Sequence, residues 1–230
     1  MKILIIGKSK VAKSFSAYLR YRRINHKVIA YRKINSYAEK IKDYKTIFFI
    51  SKDSEIDKFY RRFKKRIYPN AKLFHFSGSI LHHKIVGMHP IFSFKEKPIA
   101  PFDFEKIIFT SEDPSYIRKN LKWFKNRIIK IKPEQRVMYH ALLSIYLNFP
   151  LIIKEITHRL LIKYGIPSKY LNYVFERNIK DALNSKKGIT GPIARDDLKT
   201  IKKHLSALKK TEFLQLYKAI LNLWRGYENR

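Results

Sequence analysis

Two groups of side chains in this sequence are of types that move protons. Residues 75–90 read HFSGSILHHKIVGMHP, with His75, His82, His83 and His89 close together. No Asp or Glu falls in that run, and His75 and His89 sit on or after separate strands, so no metal site is expected. Imidazole titrates near neutral pH, which makes His89 a candidate acid. The second group is His140, Ser144 and Asn148. Spacing i, i+4, i+8 stacks them on one face of a helix amid largely apolar neighbours. His140 is the first candidate for a general acid, and Ser144 and Asn148 would orient a polar substrate. The same stripe also fits a satisfied core network, with Asn148 relieving the backbone near Pro150.

A third group could hold anions. The apolar run at residues 2–6 leads straight into Gly7-Lys8-Ser9-Lys10-Val11-Ala12 and then a helical pattern, the strand–turn–helix context of a dinucleotide loop. Gly7 suits the tight turn, whereas Ser9 stands where a second glycine would let backbone approach a pyrophosphate. Its hydroxyl could instead reach a phosphate oxygen beside the helix amides. The other reading is an α/β turn that binds nothing. The second strand ends Ala30-Tyr31-Arg32-Lys33, without the carboxylate that holds an NAD ribose. Arg32, with Lys33 as added charge, suits a 2′-phosphate, so NADP(H) is favoured; the alternative is that both belong to the general basic excess. Ser51, after the third strand, and Ser77-Gly78, after the fourth, complete the expected cofactor set, since ligands collect at the carboxyl ends of strands. Farther on, GITGPIARDD at 188–197 reads as a helix opening, where Thr190, Gly191 and Arg195 could hold a substrate carboxylate. Arg195 could equally pair with Asp196 or Asp197.

These groups need a scaffold, and the pattern supplies one. Strand-like runs at 2–6, 27–31, 46–50, 72–76, 107–109 and 127–131 alternate with amphipathic segments in the first half, which predicts a Rossmann-like, doubly wound parallel sheet over residues 1–132. Val11, Phe15, Tyr18 and Leu19 form one crossover's buried face, and Ile56, Phe59, Tyr60 and Phe63 another. After Lys132-Pro133 no strand-like alternation remains. An all-helical domain is expected over 133–230, with helices at 134–163, 168–184 and within 192–225, and a kink at Pro150.

Composition narrows the function class. Fifty Lys and Arg against eighteen Asp and Glu give a formal charge of +32, yet the basic residues are spread along the chain, so nucleic-acid binding is not favoured. With no cysteine, thiolate nucleophiles and Cys-ligated zinc are excluded. The run ALLSIYLNFPLII carries Ser, Asn and Pro and is shorter than a bilayer span, and a soluble cytoplasmic protein is expected.

Taken in order, HFSGSI, GMHPIFSF, YHALLSIYLNF and GITGPIARDDLKTIKKHLSAL resemble the blocks of a family that joins an N-terminal Rossmann-like domain to a helical domain similar to the C-terminal halves of pyrroline-5-carboxylate reductase and 6-phosphogluconate dehydrogenase. The chain resembles the branch of that family similar to an alternative ketopantoate reductase. The resemblance implies an NADPH-dependent reduction of a small 2-oxo acid, 2-dehydropantoate, to pantoate for coenzyme A synthesis, and a homodimer formed through the helical domain. Two positions depart from the family pattern, Ser9 and Asp196, where it has glycine. The alternatives are an imine reductase of the pyrroline-5-carboxylate reductase type and a sensor or scaffold that binds NADPH without turnover.

Overall fold

The computed structural model describes residues 2–185 and 189–228. Contacts divide the chain into two compact units, Met1–Ile153 and Lys154–Arg230, so the units part inside a helix, while the change from strands to helices falls at Pro133.

In the first unit, β1 (Ile3–Ile6), α1 (Lys10–Tyr21), β2 (His26–Ile29), β3 (Thr46–Phe49), α2 (Asp53–Phe63), β4 (Lys72–His75) and β5 (Val86–Gly87) build a five-stranded sheet of order β2-β1-β3-β4-β5. Every pair in it is parallel. β1 and β3 are buried along their whole length, as expected of strands covered on both faces. Ile3, Ile5 and Phe48 pack with Phe15, Tyr18 and Leu19 of α1, while Leu4, Ile6 and Phe49 pack with Ile56, Phe59 and Phe63 of α2. The sheet is therefore doubly wound, and the residues predicted to line the crossovers do so.

Three details differ from the pattern reading. Between β2 and β3 the chain makes 3-10 turns at Tyr31–Lys33 and Asn35–Asp43 in place of an α-helix, burying Ile34, Ala38 and Ile41. The strand read at 107–109 lies at Phe109–Ser111. The strand expected near His89 is two short ones, β5 and β6 (His89–Pro90), whose bounds could not be read because two-residue strands carry no alternation. A second, three-stranded sheet has the order β6-β7-β8, with β7 (Phe109–Ser111) and β8 (Ile128–Lys130) parallel and β6 antiparallel to β7. Two short helices, α3 (Pro101–Lys106) and α4 (Pro114–Asn120), complete this part.

After a 3-10 turn at Pro133–Gln135 come α5 (Arg136–Leu143), a π-helical turn over Ser144–Asn148 and α6 (Phe149–Lys163). The irregularity expected at Pro150 takes the form of that π-turn: the Phe149 amide bonds to Ser144 O, an i→i−5 bond just before the residue that has no amide hydrogen. Residues 133–163 form one helical stretch of 31 residues that is long and apolar enough to cross a membrane by length and composition, longer than the run read from the sequence.

The second unit continues α6 and adds α7 (Ser168–Asn184), α8 (Leu198–Ala207) and α9 (Phe213–Glu228). α8 begins at Leu198, not near Pro192. Asp197 takes the N-cap by accepting from the amide and hydroxyl of Thr200, and residues 192–196 are a turn.

Candidate functional site

The carboxyl ends of β1, β2, β3 and β4 lie side by side, and the loops that leave them carry the anion-binding candidates. Gly7 follows β1 with φ +135°, and a Cβ there would overlap the carbonyl of Ile50, so only glycine lets the turn close against β3. Ser9 caps α1: its hydroxyl accepts from the Ala12 amide at 3.2 Å and donates to Ile50 O at 3.2 Å. That hydroxyl serves the turn itself. The amides of Lys10 and Val11 remain at the helix mouth, where no intrahelical acceptor precedes them. The Lys10 ammonium pairs with Glu96 at 3.3 Å, as does that of Lys13 at 3.1 Å, and Lys8 is exposed. Arg32 and Lys33 lie in the exposed 3-10 turn after β2. Ser51 follows β3, and its Oγ is buried without a hydrogen-bond partner.

Beyond β4 the chain enters a polar knot. Ser77 Oγ donates to Asp53 Oδ2 at 2.8 Å and accepts from the Ile80 amide, and Ser79 Oγ donates to the same carboxylate oxygen. The Ser77 carbonyl accepts from Arg136 Nη2 at 2.6 Å. Gly78 lies against the imidazole of His140, which a Cβ would overlap, so a glycine at this point is what admits the ring. His140 in turn meets His89 edge to face, with ring centroids 5.2 Å apart. Residues 51 to 62 positions apart in the chain thus converge through α5, which lays its first turns on the ends of β4 and β6.

His89 Nδ1 is 3.0 Å from the hydroxyl of Tyr139. Burial, followed by the nearby His140 and Arg136, lowers its pKa to about 4, so the ring is neutral in ordinary buffers. His75, at the end of β4, is fully buried, accepts at Nδ1 from the Ser77 amide and leaves Nε2 unpartnered; burial first, then Arg136, lowers its pKa to about 3. Burial also pushes the Arg136 guanidinium below its ordinary value, against the opposing pull of Glu112.

Among the predicted site residues, the structure brings Ser77, Gly78, His89 and His140 together, and groups Gly7, Ser9 and Ser51 at the neighbouring turn. The polar stripe on the long helix does not act as one group. Ser144 Oγ donates to the His140 carbonyl of its own helix, and Asn148 is exposed at the end of the π-turn. Thr190, Gly191 and Arg195 belong to the second unit. Thr190 and Arg195 are exposed, Gly191 has φ +106°, and Asp196 pairs with Arg225 at 2.8 Å, not with Arg195. Gly188, the first residue of that motif, lies outside the described residues. Tyr139, Thr110, Arg136, Glu112 and Asp53 went unnoticed in the sequence, for their partners are distant in the chain. Among the described residues no cluster of His, Asp or Glu has the grouping of a metal site.

Comparison with known proteins points the same way as the fold. A family model described as "Domain of unknown function (DUF2520)" matches residues 110–222. No curated protein matches the chain. A candidate NADP oxidoreductase from Bacteroides fragilis superposes with a TM-score of 0.75 at 21% identity, covering 100% of this chain and 98% of that one. The Thermotoga maritima protein TM1727 does so with a TM-score of 0.72 at 19% identity, covering 99% and 100%. Pyrroline carboxylate reductase of Plasmodium falciparum with NADP bound gives 0.56 at 13% identity, covering 98% of both chains. At these identities the likeness is one of fold: a Rossmann-type sheet followed by helices.

Proposed function

We propose that this protein is an NADPH-dependent reductase of a small 2-oxo acid, 2-dehydropantoate, yielding pantoate. The observation that carries the reading is the meeting of two imidazoles, one of them seated against Gly78, at the carboxyl edge of the sheet, two strands along from the glycine turn of β1. A dinucleotide fits that edge. The turn at Gly7 opens α1 at that edge, the first amides of the helix have no intrahelical acceptor, and Ser51 offers a buried hydroxyl with no partner. Gly7, Lys8, Ser9, Lys10 and Val11 would hold the pyrophosphate, Arg32 and Lys33 the 2′-phosphate, and Ser51, Ser77 and Gly78 the nicotinamide half. When bound, NADPH supplies the hydride.

The chain's own task is to orient the oxo acid and meet the charge that develops on its carbonyl oxygen. His140, seated against Gly78, and His89 beside it are the candidate donors, and Asn148 belongs to the same helix as His140. NADPH oxidation followed at its absorbance band, across a panel of small 2-oxo acids and cyclic imines, tests the reading. Consumption driven by 2-dehydropantoate supports it, consumption driven only by pyrroline carboxylate replaces it with imine reduction, and NADPH binding without turnover leaves a sensor. His140→Ala should lower turnover more than cofactor affinity.

We further read the exposed apolar side of the helix from α5 to α6, with Met138, Leu142, Ile145, Tyr146, Phe149 and Ile152, as a contact between two copies of a soluble chain and not as a bilayer face. Light scattering on detergent-free protein should give twice the chain mass; a monomer, or protein recovered only in detergent, refutes it.

A further inference from the structure

The contact at His89 Nδ1 says more than that the ring is held. The Tyr139 hydroxyl that reaches it also receives a hydrogen bond from Thr110 Oγ1, at 3.0 Å. A phenol has one hydrogen. With Thr110 donating to its oxygen, the Tyr139 hydrogen has no acceptor other than Nδ1 among the described residues, and an imidazole that accepts at Nδ1 carries its proton on Nε2. The geometry is built by the fold. His89 and Thr110 are partners across the antiparallel β6–β7 pair, and Tyr139 is delivered by α5 one residue before His140. Thr110 is buried, so the end of the chain is shielded from water. His89 itself is only partly buried, and its Nε2 makes no hydrogen bond among the described residues.

We propose that Thr110 and Tyr139 are positioning residues that lock His89 in the Nε2–H form and aim a neutral donor at the ligand's carbonyl oxygen. The identity of that oxygen rests on the reductase reading; the tautomer does not. Burial first, then the neighbouring His140 and Arg136, keep the ring uncharged, and Asp53 opposes them more weakly. An uncharged donor strengthens its bond as negative charge grows on the oxygen, and it avoids holding a bare cation beside Arg136.

Nitrogen-15 NMR of histidine-labelled full-length protein tests this, with the His89 signals assigned by their loss in His89→Gln. The wild type should show protonated Nε2 and unprotonated Nδ1 at neutral pH. Tyr139→Phe, which keeps the ring packing, should turn that signature into a mixture of tautomers. Thr110→Val should do so in part, and Thr110→Ser should restore it. With an active substrate, Tyr139→Phe should lower kcat roughly tenfold, a fraction of the 10²- to 10⁴-fold that a positioned acid contributes, with little change in KM for NADPH. A protonated Nδ1 or an imidazolium in the wild type, or a signature unmoved by Tyr139→Phe, overturns the proposal. An Nε2–H signature abolished by Tyr139→Phe supports it even if no oxo acid or imine consumes NADPH, a result that overturns only the reductase reading.

Discussion

Glu112 Oε2 lies 2.6 Å from Arg136 Nη1, at the tip of an arginine side chain of which 2% is exposed. The other carboxylate oxygen accepts from the Gly87 amide at 2.7 Å, and the other guanidinium nitrogen donates to Ser77 O. This pair therefore ties β5, the loop after β4 and the segment after β7 to the start of α5, one turn before His140. Breaking it strands a buried charge. Glu112→Ala should cost about 3–5 kcal/mol of unfolding free energy, read as a lower urea midpoint. The double replacement Glu112→Leu with Arg136→Met should recover most of that loss. A single variant with the wild-type midpoint would show the pair to be solvent-screened.

Gly78 tests whether the imidazole of His140 matters where it sits. Gly78→Ala places a methyl group into that ring and should displace it, at a cost of roughly 1–3 kcal/mol in stability. NADPH-dependent turnover should fall by more than the melting temperature shift accounts for. Equal activity in the variant would remove His140 from the site.

For Arg32, exposed in the turn after β2, the outcome is one of selectivity. Arg32→Ala should weaken NADPH binding far more than NADH binding, measured by calorimetry with each nucleotide. Equal weakening of the two would refute contact with the 2′-phosphate.

Acid should destabilise the protein through His75 and His89. Both have folded-state pKa values below that of a free imidazole, about 3 and about 4, so the unfolded chain binds protons first as the pH falls. Their contribution is whole above about pH 6.5, the usual histidine value, and is lost progressively toward pH 4 and below. At about 1.4 kcal/mol for each pKa unit, the two together account for a loss of several kcal/mol. Thermal melts between pH 7 and 4 should show that loss, and His75→Leu should flatten the curve. A wild-type melting temperature constant over this range would contradict the burial of both rings.

The parallel sheet was open to reading because its strands are short apolar runs at regular intervals, and because Phe15, Tyr18, Phe59 and Phe63 recur at helical spacing. The helices after Pro133 were legible for the same reason, α7 to the residue. The crossover at 31–43 was less so, since burying Ile34, Ala38 and Ile41 suits 3-10 turns as well as an α-helix. The start of α8 was misplaced because Pro192 is as good a first-turn residue as Leu198, and only the Asp197–Thr200 bonds decide between them.

Chain pattern by itself thus determined the class of fold, the glycine turn after β1 and the clustering of imidazoles in one segment, since these depend on residue type and local period. Tertiary structure alone decided which imidazole faces which partner. His89, Thr110 and Tyr139 meet through a strand pairing and a helix that returns from farther along the chain, and Arg136 finds Glu112 and Ser77 in the same way. A hydrogen bond is specific to a few tenths of an ångström, whereas sequence spacing says nothing about distance once the chain has folded back on itself.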